Sequence, residues 1–126
     1  MFVMKRYQEE AWTPELGASF GDLRLKIKMI TPAMKAARGA EHMDSKGDID
    51  LPKMVQGFIE FALSLVIGWQ NSDIEYSDQV RDEVLALALE DEVEVLNDKN
   101  EPVLLRDYIL HFAGDRSNFL ASSAAI

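Results

Sequence analysis

Residues 23–30, LRLKIKMI, alternate strictly. Leu23, Leu25, Ile27 and Met29 share one face and Arg24, Lys26 and Lys28 the other, which is the period of a half-buried strand. Thr31-Pro32 then predicts a helix start, with Thr31 as N-cap and Pro32 in the first turn. That helix runs through MKAAR toward Gly39, with Met34 and Ala37 inward. The segment DSKGDID at 44–50 reads as an acidic loop whose Asp50 caps the next helix.

That next helix is predicted over 52–67, closed by Gly68 and followed by Trp69. Its polar residues Lys53, Gln56, Glu60 and Ser64 form one narrow stripe, and the other faces are apolar. A helix of this kind needs cover on most sides, and another subunit is one source of it. Ser77 predicts the cap of a third helix, with Asp78 in its first turn and Val80, Val84 and Leu87 inward. The stretch EDEVEVLNDKNEP fits either a continued helix or a short strand through Val93 and Val95 before a turn at 97–100. We favour helix to about Leu96. Pro102 predicts the opening of a fourth helix with the stripe Leu105, Tyr108, Ile109 and Phe112, ended by Gly114.

These elements predict a mainly α fold: a small domain of four to five helices with a short N-terminal β-strand or hairpin. One domain spans residues 1–126, with an irregular segment at 1–22 and a short tail at 115–126. The length of 126 residues fits one domain. No repeat, targeting segment or membrane-length apolar run is read from the chain.

Charge changes this picture. The chain carries a net charge of −9, which argues against general nucleic-acid or membrane-surface binding. The charge is uneven. Residues 1–53 hold nine basic and eight acidic side chains, whereas residues 54–126 hold four basic and fourteen acidic ones. The basic strand face of Arg24, Lys26 and Lys28 is therefore a candidate self-assembly surface, meeting the acidic helices of a neighbouring copy.

Candidate chemistry is sparse. The chain has no cysteine, so disulfides, thiolate metal sites and cysteine nucleophiles are excluded. Asp107, His111 and Asp115 are four apart and could share a metal on a helix, but Gly114 should break that helix and each residue is ordinary on a solvent-facing side. The 44–50 loop fails the calcium pattern: counted from Asp44, Ile49 and Val55 stand where Gly and Glu are required. Neither His42 nor His111 sits in a nucleophile motif, and no phosphate-binding glycine loop occurs. The expectation is a protein that is not an enzyme and uses no cofactor or metal.

The segments LRLKIKMITPAMKAA, LVIGWQNSDIEYSDQVRDEVLA and SNFLASSA together resemble tail assembly chaperones of long-tailed bacteriophages. Tyr76-Ser77 matches the aromatic-serine pair that opens a helix in that family, although the loop after Trp69 lacks the family's Asp-Gly turn. The resemblance implies a non-enzymatic assembly factor in the host cytoplasm, absent from the mature virion. It would bind the tape-measure protein, with the tail-tube protein as a second partner, and act as a homo-oligomer. The residues expected to contact an apolar helical client are Phe58, Phe61, Leu65, Trp69, Tyr108 and Phe112. The competing expectations are an acidic inhibitor that mimics nucleic acid and a small metal enzyme using Asp107, His111 and Asp115.

Overall fold

Leu25 and Ile27 are fully buried and Lys28 is exposed, so the alternating face predicted from sequence is the inner face of strand β2 (Arg24–Lys28). A computed structural model describes residues 4–34, 51–91, 93–97 and 99–120. In it β2 is the centre of a three-stranded antiparallel sheet, flanked by β1 (Glu10–Trp12) and β3 (Val66–Gln70). The segment 1–22, expected to be irregular, therefore supplies an edge strand. Thr13 extends the pairing: its N–H donates to the Leu25 carbonyl at 2.8 Å and its hydroxyl accepts from the Leu25 N–H at 3.0 Å. Its hydroxyl also donates to the Pro14 carbonyl and its own carbonyl accepts from Arg24 Nε, both at 2.8 Å, so each polar group of this fully buried threonine is satisfied.

Helix α1 (Leu51–Leu65) passes into β3 with no intervening loop. The predicted helix continues to residue 67, but Val66 and Ile67 are extended. Val66 pairs with Ile27 and Trp69 with Leu25. Directly paired residues share a sheet face, so both Val66 and Trp69 point inward although they are three apart. A register shift between Lys26 and Ile27 makes this possible by leaving Ile67 as an extra residue. The Val66 carbonyl is held from outside the sheet, accepting from Arg81 Nη1 at 3.0 Å, with the Tyr76 hydroxyl oxygen 3.4 Å away.

Along α1, Ile59, Ala62 and Leu65 are buried while Gln56, Glu60 and Ser64 are exposed. The helix is thus covered along one side, against α3 and α4, rather than on most sides. Each fully buried Leu or Ile side chain adds about 1.5–3 kcal/mol relative to exposure.

A helical rod spans 78–90. It consists of α2 (Asp78–Val80), a π-helical segment (Arg81–Leu85) and α3 (Ala86–Glu90). Ser77 caps it as predicted, accepting from the Val80 N–H at 3.1 Å. The predicted inner face is wrong. Val84 and Leu87 are 47% and 60% exposed, and Leu85 and Leu89 are the buried pair. The wider π turn displaces a stripe counted at ordinary helical spacing.

The favoured helix through 92–96 is also corrected. The chain leaves α3 at Asp91 and forms a hairpin of β4 (Glu94–Leu96) and β5 (Pro102–Leu104). Asn97 shapes the turn, its side-chain oxygen accepting from the N–H groups of Lys99 and Glu101, both at 2.9 Å. Asn100 adopts φ +64°, a conformation that asparagine tolerates. Pro102 begins a strand, not a helix, and lacks the N–H that an interior ladder would need. Helix α4 (Leu105–Gly114) follows, with Leu105, Tyr108, Ile109 and Phe112 all buried as predicted. A 3₁₀ turn (Arg116–Phe119) then buries Phe119.

Among the described residues the architecture is therefore α+β, with two antiparallel sheets beside α-helical segments, and not mainly α. Buried side chains of β2, α1, α3, β4 and α4 form one core cluster, closed by Leu16 and Phe119. At the start of the first predicted helix, the Met34 N–H donates to Thr31 Oγ1 at 3.2 Å, as an N-cap should. The remainder of that helix and the 44–50 loop lie outside the described residues. No helix among the described residues is long and apolar enough to cross a membrane.

Arg81→Met should lower the urea midpoint by an amount equivalent to about 1–2 kcal/mol, because it removes a charged donor from the Val66 carbonyl. Asp82→Asn breaks only the exposed half of the Arg81 pair and should change stability by less than about 0.5 kcal/mol.

Candidate functional site

The hairpin stands away from α4 and leaves an open cleft of about 380 Å³. Its floor is Val103 of β5 and Tyr108 and Phe112 of α4. Tyr108 and Phe112 are four apart, so they project from one side of the helix. Their rings lie 6.2 Å apart at 23°, and Phe112 meets Phe119 edge-on at 5.7 Å. These contacts keep Tyr108 and Phe112 only 8% and 9% exposed, so the floor is preformed and largely belongs to the core.

The rim is polar. Asn97, Lys99 and Glu101 come from the hairpin, Asp107 and His111 from α4, and Asp115 and Asn118 from the turn beyond it. Among the described residues, three carboxylates thus share this rim with one lysine ammonium, within the part of the chain that holds the whole excess of negative charge. Two hydrogen bonds from Ser117, from its hydroxyl at 2.7 Å and its N–H at 3.0 Å, hold the Asp115 carboxyl below its ordinary value of 3.8. Asn118 braces the wall by donating its side-chain amide to the Phe112 carbonyl at 3.1 Å.

The six residues expected to contact a client do not converge. Tyr108 and Phe112 are in the cleft. Leu65 is 2% exposed and part of the core. Phe58 is 38% exposed and lies on α1 with Val55, at 41%. At about 100° per residue both fall on the same side as Ile59 and Ala62, so the inner stripe of α1 runs on into partly exposed positions. Phe61 is half-buried on the same helix. Trp69 is half-buried at a separate corner, where its indole N–H donates to the Ile74 carbonyl at 2.8 Å and its ring meets Tyr76 edge-on at 4.9 Å. Burial and the hydrogen bond to Asp78 push the Tyr76 hydroxyl above its ordinary value of 10.0.

The basic set lies together on the outer face of the sheet, but two of its members are engaged within the chain. Arg24 donates from Nε to the Thr13 carbonyl at 2.8 Å. Lys26 lies 2.8 Å from Glu10 and 5.9 Å from the ring centre of Trp12. Lys28 is exposed and pairs across the ladder with Glu10. Asp107, His111 and Asp115 do line one cleft. Among the described residues, however, no group of three metal-ligating side chains is close enough to hold an ion.

Sequence reasoning missed the hairpin's contribution, namely Asn97, Lys99, Glu101 and Val103. The signal was present in the alternation of Val93 and Val95 and in the Asn-rich turn, which a helical reading overrides.

Because the folded Asp115 carboxyl is more acidic than the unfolded one, its stabilising effect is full above the ordinary value of 3.8 and disappears as pH falls through the folded value. Urea midpoints should therefore be higher for the native chain than for Asp115→Asn at about pH 6, and the difference should shrink as the pH is taken below the ordinary value of 3.8.

Comparison with known proteins adds no relative: no family model, curated protein or solved structure matches this chain.

Proposed function

We propose that this chain is a non-enzymatic tail assembly chaperone of a long-tailed phage. It binds the tape-measure protein in the host cytoplasm, keeps that long helical client from aggregating, and assists the tail-tube protein in polymerising around it. It leaves before the virion matures and works without a cofactor or metal. The observation that carries this reading is the aromatic-floored cleft between the hairpin and α4. A rigid apolar floor with a polar rim suits docking of a client's side chains by helix-in-groove recognition. The partly exposed Val55 and Phe58, at 41% and 38%, add apolar contact area outside the cleft. The strong negative charge keeps a complex with an apolar client in solution.

Self-association belongs to the same proposal, through the outer face of the sheet. Lys28 is the member of the basic set that is most open to a neighbour, so Lys28→Glu should lower the sedimentation coefficient at low salt and have no effect at high salt.

The direct test is co-expression with the tape-measure protein of the same phage. The client should move from the insoluble to the soluble fraction only when this chain is present, and the two should co-purify. A client that stays insoluble overturns the reading. Capture of an unrelated basic protein, abolished by salt, would instead favour the nucleic-acid mimic.

A further inference from the structure

We propose that the cleft accepts a lysine or arginine side chain carried on an apolar helical segment of the partner. Its stem lies over Tyr108 and Phe112, and its charged head lies among Glu101, Asp107 and Asp115. The identity of the partner as a client rests on the function proposed above; the chemistry of the cleft does not.

Size is the first argument. At about 380 Å³ the cleft is at the low end of the roughly 300–1,000 Å³ typical of ligand pockets. It holds one long side chain and parts of its neighbours, not a whole helix. The second argument is the match between floor and rim. Lysine and arginine carry an apolar stem and a charged head, and they bury the first while keeping the second among polar groups.

Charge complementarity selects between occupants. Among the described residues of the rim, the carboxylates of Glu101, Asp107 and Asp115 outnumber the ammonium of Lys99. Asp115 is additionally locked by Ser117 at 2.7 and 3.0 Å, so little ordering is needed when a cation arrives. An acidic or purely apolar segment would strip water from these carboxylates and offer nothing in return. A second copy of this chain is a poorer occupant. Its basic face is on the sheet, and Arg24 and Lys26 there are already engaged with Thr13 and Glu10.

The test uses the full chain and two amphipathic helical peptides of about 14 residues, one with leucine and lysine and one with leucine and glutamate. Binding is followed by calorimetry and by amide chemical shifts. The lysine peptide should bind, with the largest shifts in residues 97–118, and the glutamate peptide should not. The paired substitution Asp107→Asn with Asp115→Asn should weaken the lysine peptide about tenfold. Asp73→Asn with Glu83→Gln, which makes the same change in net charge outside the cleft, should leave its affinity nearly unchanged. Equal binding of both peptides, equal loss in the two paired variants, or shifts centred elsewhere each overturn the proposal. Concentration-dependent shifts at 97–118 without peptide would also overturn it, by assigning the cleft to a second copy. Binding of the lysine peptide together with failure to rescue the tape-measure protein would retain the cleft and reject the chaperone.

Discussion

The carbonyl of Val66 is the point on which the arrangement turns. It sits at the residue where α1 ends and β3 begins, with no loop to absorb the change of direction. Helix ends leave carbonyls without intrahelical partners, and a buried one has no water to turn to. Here Arg81 donates to it at 3.0 Å. Arg81 belongs to the rod that follows, so one acceptor ties the end of α1, the edge of the sheet and the start of the rod together. The π-helical segment begins at Arg81 itself, which fits a local distortion tolerated because it aims that guanidinium.

Once this corner is fixed, the remaining geometry has little freedom. The rod lays Leu85 and Leu89 against α1, and the chain returns as a hairpin. Leu105 donates its N–H to the Val93 carbonyl at 2.9 Å and Arg106 donates to the Leu89 carbonyl at 3.3 Å. The second bond pins the start of α4 to the end of the rod, and the first pins it to the chain just before β4. The hairpin is also joined to the sheet side, where the Leu96 N–H donates to the Leu16 carbonyl at 3.3 Å. The cleft is the space left between a hairpin held at its base and a helix whose aromatic face is already committed to the core.

The parts legible in the sequence were those with sustained periodicity or an unmistakable cap. The alternation of LRLKIKMI marked β2, the stripe of Leu105, Tyr108, Ile109 and Phe112 marked α4, and Ser77 marked the start of the rod. The α+β character was hidden because the other strands are short and disguised. β1 has three residues, fewer than any alternation can establish. β3 continues an apolar run that a helix explains equally well. β4 and β5 sit in an acidic, turn-rich segment where propensity is overridden by pairing partners far from any local pattern. The cleft was half visible for the same reason: its α4 side came from periodicity, and its hairpin side required tertiary contact. The uneven charge was legible from composition, but only the fold brings Glu101 and Lys99 opposite Asp107 and Asp115.

The extra residue in β3 bears on how such a chain can change length. On either side of Ile67 the ladder is in phase without it: Val66 faces Ile27, and Gly68 and Trp69 face Lys26 and Leu25. Loss of Ile67 would leave an unbroken antiparallel ladder with every neighbouring side chain still on its present face. One residue lost inside α1 would instead rotate everything before it by about 100° relative to the core. Insertions and deletions between variants of this protein should therefore collect at the helix-to-strand junction, while the helix keeps its length and admits only substitution.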